Sequence, residues 1–377
     1  MVEVITPQSK VRDLTAAARH IPIDVDGAGT YEIVLAMWTV FNPEESGSGF
    51  DLGPEWVAKM RTATPEDLAA EIRNLGGPEC SVWLTMLGLI ASAPHPHEPD
   101  RVLDWIGSIN PQRLRRWMLS YMGEHADPGL VEQAADGDKE AVDRILATLK
   151  GGKLDEETRR QVAGILEIPS EELRDRMVQT IRRFRTEVYA EHEEPFSAAI
   201  SRAAAAQRAI STRDSAKAVI EEVTNGLDYE IPLGVSRVTL VPSVVVRPLS
   251  LIDQNRDILL VFYGMADEFI DSDPEAPPSW LVKTYKALSD ERRLRILRRL
   301  SEEEASLDDL TELLGLSKST VHHHMSVLRA AGLVRVHISG DKSELKESKT
   351  YALRTQALTD AGAFLDTYVK TDRPVAS

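Results

Sequence analysis

The sequence predicts a mostly α protein in two parts: an α+β N-terminal domain, helical with a small β-sheet near its end, and a C-terminal winged helix-turn-helix domain. Three observations predict it. Apolar residues recur at three- and four-residue intervals through most of 21–226. The pattern then changes to short β-branched and aromatic runs within 236–264. Beyond a proline-rich break, 280–370 reads as helices, a tight turn, another helix and two short alternating segments.

Taken in order, residues 1–20 are polar and weakly patterned, which predicts a flexible arm. The helical part of 21–270 includes a start at Thr64-Pro-Glu-Asp67, with Thr as cap and Pro at the first helical position. A helix beginning at Ser170 carries Leu173, Met177, Ile181, Phe184 and Val188 on one face. Pro195 is expected to separate it from an alanine-rich helix ending near Val223. Strands are predicted at Val238–Val241, Ser243–Arg247 and Ile258–Tyr263, with a polar turn at Asp253–Asp257. Residues 271–279 are acidic and proline-rich, a stiff linker. Residues 371–377 are expected to be disordered.

Composition narrows the classes. The 377 residues carry a net charge of −16, but 281–355 holds 14 Lys and Arg against 11 Asp and Glu, so this stretch is +3 and the remainder −19. DNA contact is therefore expected to be confined to the C-terminal part, because local potential decides contact within about a Debye length, ~8–10 Å. A single cysteine, Cys80, excludes an intramolecular disulfide and fits a reducing cytoplasm. No apolar stretch is long enough to span a bilayer, so no membrane partner is expected.

The C-terminal motif is legible residue by residue. Ser306 is an N-cap with Asp309 three residues on, close to a capping box. Leu307, Leu310, Leu313 and Leu314 form an apolar face, and Gly315 ends that helix. Ser317 caps the next helix, whose Val321, Met325 and Leu328 make the buried stripe. Ser319, His323 and Ser326 project opposite, flanked by Thr320 and His322. Small polar and imidazole side chains on such a face suit a helix lying in a DNA groove. Ser319, Thr320, His322 and His323 are the expected base-edge contacts; Lys318, Arg293, Lys342 and Lys346 are the expected phosphate contacts. Arg293 has an equal alternative, bonding Asp290 to hold a helix start. Leu333–Ile338 and Lys349–Leu353 read as strands of a wing.

Ala287-Leu-Ser-Asp-Glu-Arg-Arg-Leu-Arg-Ile-Leu297 and the run Ser317–Leu333 resemble the opening signature and recognition helix of the ArsR/SmtB family of winged-helix bacterial transcription regulators. The resemblance covers roughly a quarter of the chain. It implies a homodimer on double-stranded operator DNA, with a repressor's action; a small-molecule effector is expected only if the N-terminal domain is a sensor. Metal-sensing members carry a cysteine pair before the turn, or Asp/His clusters in the last helix. Ser306–Leu314 has no cysteine and Leu358–Val369 no histidine, so that mode of sensing is not expected. The run Val238-Thr-Leu-Val-Pro-Ser-Val-Val-Val-Arg-Pro248 resembles a poorly characterised N-terminal domain joined to such winged helices, which implies a sensor or a dimerisation scaffold.

Other candidates divide as follows. Consecutive His322, His323 and His324 point 100° apart and cannot converge on one ion; His324 is expected to be packed. His95, His97, Glu98 and Asp100 lie in a proline-rich loop, read as solvated, or as a metal site if the fold brings a further ligand. Cys80 reads as a buried structural thiol. Trp38, Trp56, Trp83, Trp105 and Trp117 read as core, with an aromatic ligand pocket as the alternative. The basic runs 113–116 and 182–185 read as solvated faces. There is no phosphate loop, nucleophile elbow or His-Glu-x-x-His, so neither an enzyme nor a cofactor is expected. The alternatives are a winged helix that binds protein instead of DNA, and an enzyme carrying a regulatory winged helix.

Overall fold

The computed structural model describes residues 20–42, 50–122, 127–148, 156–210, 215–270, 277–338 and 349–370. The expected arm and tail, the loop carrying Lys342 and Lys346, and most of the expected linker lie outside these residues. Among the described residues the order opens with β1 (Ile23–Val25), α1 (Gly29–Phe41), α2 (Gly53–Ala63), α3 (Glu66–Gly76), α4 (Thr85–Ala91), α5 (Pro99–Ser108) and α6 (Pro111–Met122). It continues through α7 (Pro128–Ala135), α8 (Lys139–Thr148), α9 (Glu156–Glu167), α10 (Ser170–Phe184), α11 (Ala190–Ile210) and α12 (Ala216–Val223). Next come β2 (Leu227–Tyr229), β3 (Arg237–Ser243), β4 (Ser250–Asn255) and β5 (Ile258–Gly264). The remainder is α13 (Ser279–Leu288), α14 (Glu291–Glu302), β6 (Ala305–Ser306), α15 (Leu307–Leu314), α16 (Lys318–Ala330), β7 (Val334–Ile338), β8 (Lys349–Leu353) and α17 (Thr355–Lys370).

The first sheet has the order β1-β3-β5-β4, with β4 alone antiparallel. Helices cover both faces, which is why β5 is apolar without alternation. Leu260 and Phe262 enter the large helical core around α1, whereas Leu259 and Val261 enter the core shared with Ala216, Val219 and Ile220 of α12. Trp83 is fully buried and donates its ring N–H to Ile72 O at 3.0 Å. The other four N-terminal tryptophans pack, partly buried, against the same core.

Several local expectations give way to longer-range contacts. Of the run Ser243–Arg247 only Ser243 is strand, as the last residue of β3. Glu32, buried on α1, accepts the N–H groups of Val244 and Val245 at 2.8 and 2.7 Å, so these residues turn under the helix instead of pairing. The expected polar turn at Asp253–Asp257 is mostly strand: β4 runs on through Asn255, and the chain reverses at Arg256, where φ is +54°. Pro195 lies inside α11, and a π-turn at Arg185–Tyr189 joins α10 to α11 without a break. Such bulges locally widen a helix. The Thr64 hydroxyl closes α2 by donating to Met60 O at 2.8 Å and does not cap α3.

Several arginines of the basic runs are committed to partners. Arg185 pairs with Asp100 and Glu193, Arg183 with Asp67 and Glu187, and Arg116 with Glu132. They pin helices to one another. Cys80 is buried, burial pushes its thiol up to about 11, and the thiol points at Phe41 O, 3.4 Å away. A thiol held protonated in this way is a structural group.

The second sheet has the order β2-β7-β8-β6. Its first strand comes from the N-terminal part of the chain: β2 pairs parallel to β7, with Leu227 opposite Val336. Leu227 is buried in the C-terminal core with Ile296, Leu310, Val321, Leu328 and Val334. The two parts therefore share a sheet and a core at this seam. What fixes their orientation is strand pairing, where the sequence had pointed to linker stiffness.

Candidate nucleic-acid interface

The C-terminal core is built as its pattern requires. Ser306 and Asp309 form a complete capping box, Ser306 Oγ accepting the Asp309 N–H and the Asp309 carboxylate accepting the Ser306 N–H at 2.8 Å. Gly315 ends α15 at φ +62°, a left-handed conformation that costs glycine nothing. Ser317 then caps α16, accepting from the Thr320 N–H. The crossing of α15 and α16 is set by Leu310, Val321, Met325 and Leu328, all buried.

This phase puts the opposite face of α16 in solvent. Ser319, His322, His323 and Ser326 are exposed and Thr320 is half-buried. The hydroxyls of Ser319 and Thr320 lie 3.0 and 2.8 Å from Ser317 Oγ, so both belong to the cap network as well as to the exposed face. Lys318 lies 2.7 Å from Asp308, an exposed pair that is worth little in water. His324 is packed, as its position predicted. Burial pushes its imidazole below the usual range, and neither ring nitrogen has a hydrogen-bond partner.

Arg293 is turned inward. Its guanidinium donates to Ala287 O at 2.6 Å and Lys286 O at 2.9 Å, with only 13% of the side chain exposed. Those bonds clamp the end of α13 to the start of α14, so the structural alternative describes its position. The neighbouring Arg292, not among the expected contacts, is exposed, and its charge is felt by His324 of α16. The signal was available. With Ile296, Leu297 and Leu300 facing the core, Arg293 falls on the buried flank one turn earlier and Arg292 does not.

A separate surface lies on the first and last helices of this unit. Trp280 and Tyr285 of α13 and Phe364, Tyr368 and Val369 of α17 are exposed, Val369 by 72%. Trp280 and Phe364 meet edge-to-face at 5.1 Å and Phe364 stacks on Tyr368 at 6.5 Å, so the aromatic residues form one patch.

A capped helix-turn-helix followed by a β-hairpin defines a winged-helix protein, and sequence comparison places it among bacterial regulators. Residues 290–336 match the model of the arsR family of bacterial regulatory proteins. The HTH-type transcriptional regulator KmtR of Mycobacterium tuberculosis is 32% identical over 76 residues, which cover 19% of this chain and 58% of that protein. The transcriptional repressor SdpR of Bacillus subtilis is 30% identical over 77 residues, covering 20% of this chain and 79% of that one. HlyU from Vibrio cholerae N16961 aligns over 24% of this chain and 95% of its own, at 29% identity and a TM-score of 0.19. The chain belongs to the arsR family. These matches cover between about an eighth and a quarter of it. Among the described residues no helix is long and apolar enough to cross a membrane.

Proposed function

We propose that this protein is a transcriptional repressor that binds double-stranded operator DNA through α16 as a homodimer. The observation that carries the reading is the division of α16: Val321, His324, Met325 and Leu328 are buried, while Ser319, His322 and His323 are exposed on the other side. In that reading Ser319, Thr320, His322 and His323 meet base edges. Lys318 and Arg292 meet phosphates, with Lys342 and Lys346 of the wing loop as further phosphate contacts.

The aromatic patch of α13 and α17 supports the homodimer. An apolar surface of this kind on a module with a two-fold-symmetric target is best covered by its own copy. The N-terminal part then acts as an effector sensor or as the scaffold that sets the spacing of the two modules. A cavity of about 400 Å³ at the seam, reached by Asn225, Arg247, Trp280 and Lys283, supports the sensor role. A molecule seated there would touch both parts.

The test is capture of sheared genomic DNA by the purified full-length protein, eluted over a salt gradient and sequenced. Enrichment of a few fragments carrying an inverted repeat, with half-sites about one helical turn apart, is the expected result. Absence of enrichment at low salt would overturn DNA binding and favour a winged helix that binds protein.

A further inference from the structure

Of the two histidines in the proline-rich loop between α4 and α5, the fold leaves one in solvent and buries the other against a further possible ligand. His97 is 3% exposed. It is brought against Asp26, which follows β1, seventy-one residues earlier in the chain. His95 remains exposed at the rim and stacks on His97 with ring centroids 4.0 Å apart. One donor atom from each of Asp26, His95 and His97 lies within 4.8 Å of the other two.

The hydrogen bonds around this cluster fix which atoms face each other. His97 Nε2 lies 2.9 Å from Ala93 O, a pure acceptor, so Nε2 carries a hydrogen. Nδ1 is left facing Asp26 Oδ2 at 2.5 Å. A nitrogen lone pair and a carboxylate oxygen do not approach so closely unless a proton or another cation lies between them. Asp26 is itself oriented by its neighbours: Ala28 N–H donates to Oδ1 at 3.1 Å, and the Tyr31 hydroxyl to Oδ2 at 3.0 Å. A histidine whose second nitrogen is tied to a backbone carbonyl, beside a carboxylate held by further donors, is the outer-shell arrangement of a metal ligand set.

We propose that Asp26, His95 and His97 form a binding site for a divalent first-row transition metal ion. The chemistry of the donors selects the class. Two imidazoles and one carboxylate suit zinc, cobalt or nickel; magnesium and calcium prefer oxygen alone, and copper(I) prefers sulfur. Binding exchanges the proton between His97 and Asp26 for the ion and releases that proton to solvent. Around a tetrahedral ion with bonds of ~2.0–2.1 Å the donors stand roughly 3.3 Å apart. The Asp26–His97 pair, 2.5 Å apart, must therefore open to admit the ion while His95 closes in, and the exposed His95 ring is the part free to turn. Three protein ligands leave further coordination positions open to the adjoining cavity of about 680 Å³. Arg237 also lines that cavity and opposes a cation, but its guanidinium lies 3.5 Å from the Asp24 carboxylate, which offsets it.

The site lies far in sequence from α16 and does not depend on the DNA-binding reading. The experiment is titration of metal-free, full-length protein with cobalt(II), followed by visible absorption, and with zinc(II), followed by calorimetry. One ion per chain is expected, with the intense cobalt bands of low coordination number. His95→Ala should weaken binding at least tenfold and leave the circular dichroism unchanged, because His95 is exposed and forms no hydrogen bond of the core. A double variant, His322→Ala with His323→Ala, should bind as the parent does. No uptake at one equivalent, or uptake unchanged by His95→Ala, would overturn the proposal. Loss of uptake only in the double variant would overturn it as well, by placing the ion on α16.

Discussion

His337 on β7 places its Nδ1 2.9 Å from Oδ2 of Asp228 on β2, so the wing strand is held by a carboxylate from the other part of the chain. Lys217 of α12 holds the other carboxylate oxygen at 2.6 Å. Alongside, Arg335 pairs with Glu221 at 2.7 Å, and Arg354 donates both to Asn225 Oδ1 and to Gly332 O. Gly332 is required here: its φ is +67°, and a Cβ would come within 2.6 Å of the Asn225 side chain. These contacts join the N-terminal part to the winged helix independently of the proline-rich segment.

Asp228→Ala should loosen this seam. Removing a half-buried carboxylate that holds both Lys217 and His337 costs about 1–2 kcal/mol. Chemical denaturation measures the loss, and hydrogen exchange should quicken at Val334–Ile338. Unchanged exchange on β7 would mean that β2 pairing is held by its backbone alone.

Glu32 gives the fold a pH dependence. Burial pushes its carboxyl up to about 7, against the opposing pull of Ser243 and the N–H groups of Val245 and Val244. The folded state thus holds this proton more tightly than the unfolded chain, whose carboxyl titrates near 4.5. Its stabilising contribution is complete below pH ~4.5 and is lost as pH rises through ~7. The difference is about 3 kcal/mol. Glu32→Gln, which keeps an acceptor for both N–H groups, should flatten the fall in melting temperature between about pH 5 and pH 8.

Two substitutions separate base reading from backbone contact once an operator is in hand. His323→Ala should cost ~1–3 kcal/mol on the operator and little on unrelated DNA. Arg292→Ala should weaken both alike and lower the salt slope by about one. Unchanged specificity with His323→Ala would mean that the base-reading face of α16 is assigned wrongly.

The aromatic patch makes its own prediction. Phe364→Glu places a charge beside Trp280 and Tyr368 and should shift sedimentation from dimer toward monomer, with operator affinity falling in step. The far-ultraviolet spectrum should not change, because Phe364 is 39% exposed and lies outside the C-terminal core.

Leu328 tests the recognition helix from its buried side. It is fully buried beneath α16, and Leu328→Ala should destabilise the protein by ~2–5 kcal/mol, read as a lower denaturation midpoint.

What the sequence determined by itself is the α15–α16 unit. The capping box at Ser306, the left-handed Gly315 and the Val321, Met325, Leu328 stripe all act over three or four residues, the range in which helix geometry is written. That same phase set His322 and His323 outward and His324 inward. Arg292 and Arg293 show how narrow the margin is, since adjacent positions 100° apart divide into one exposed cation and one helix clamp. Only the tertiary structure decided the remainder. Glu32 takes Val244 and Val245 out of the sheet from 212 and 213 residues away, Asp26 buries His97 from 71, and Asp228 meets His337 from 109. Glu32, Asp26 and His97 lie where the fold supplies their partners, because leaving these groups buried and unpaired would cost more than bending a strand or a loop to reach one. Local periodicity does not encode that partner.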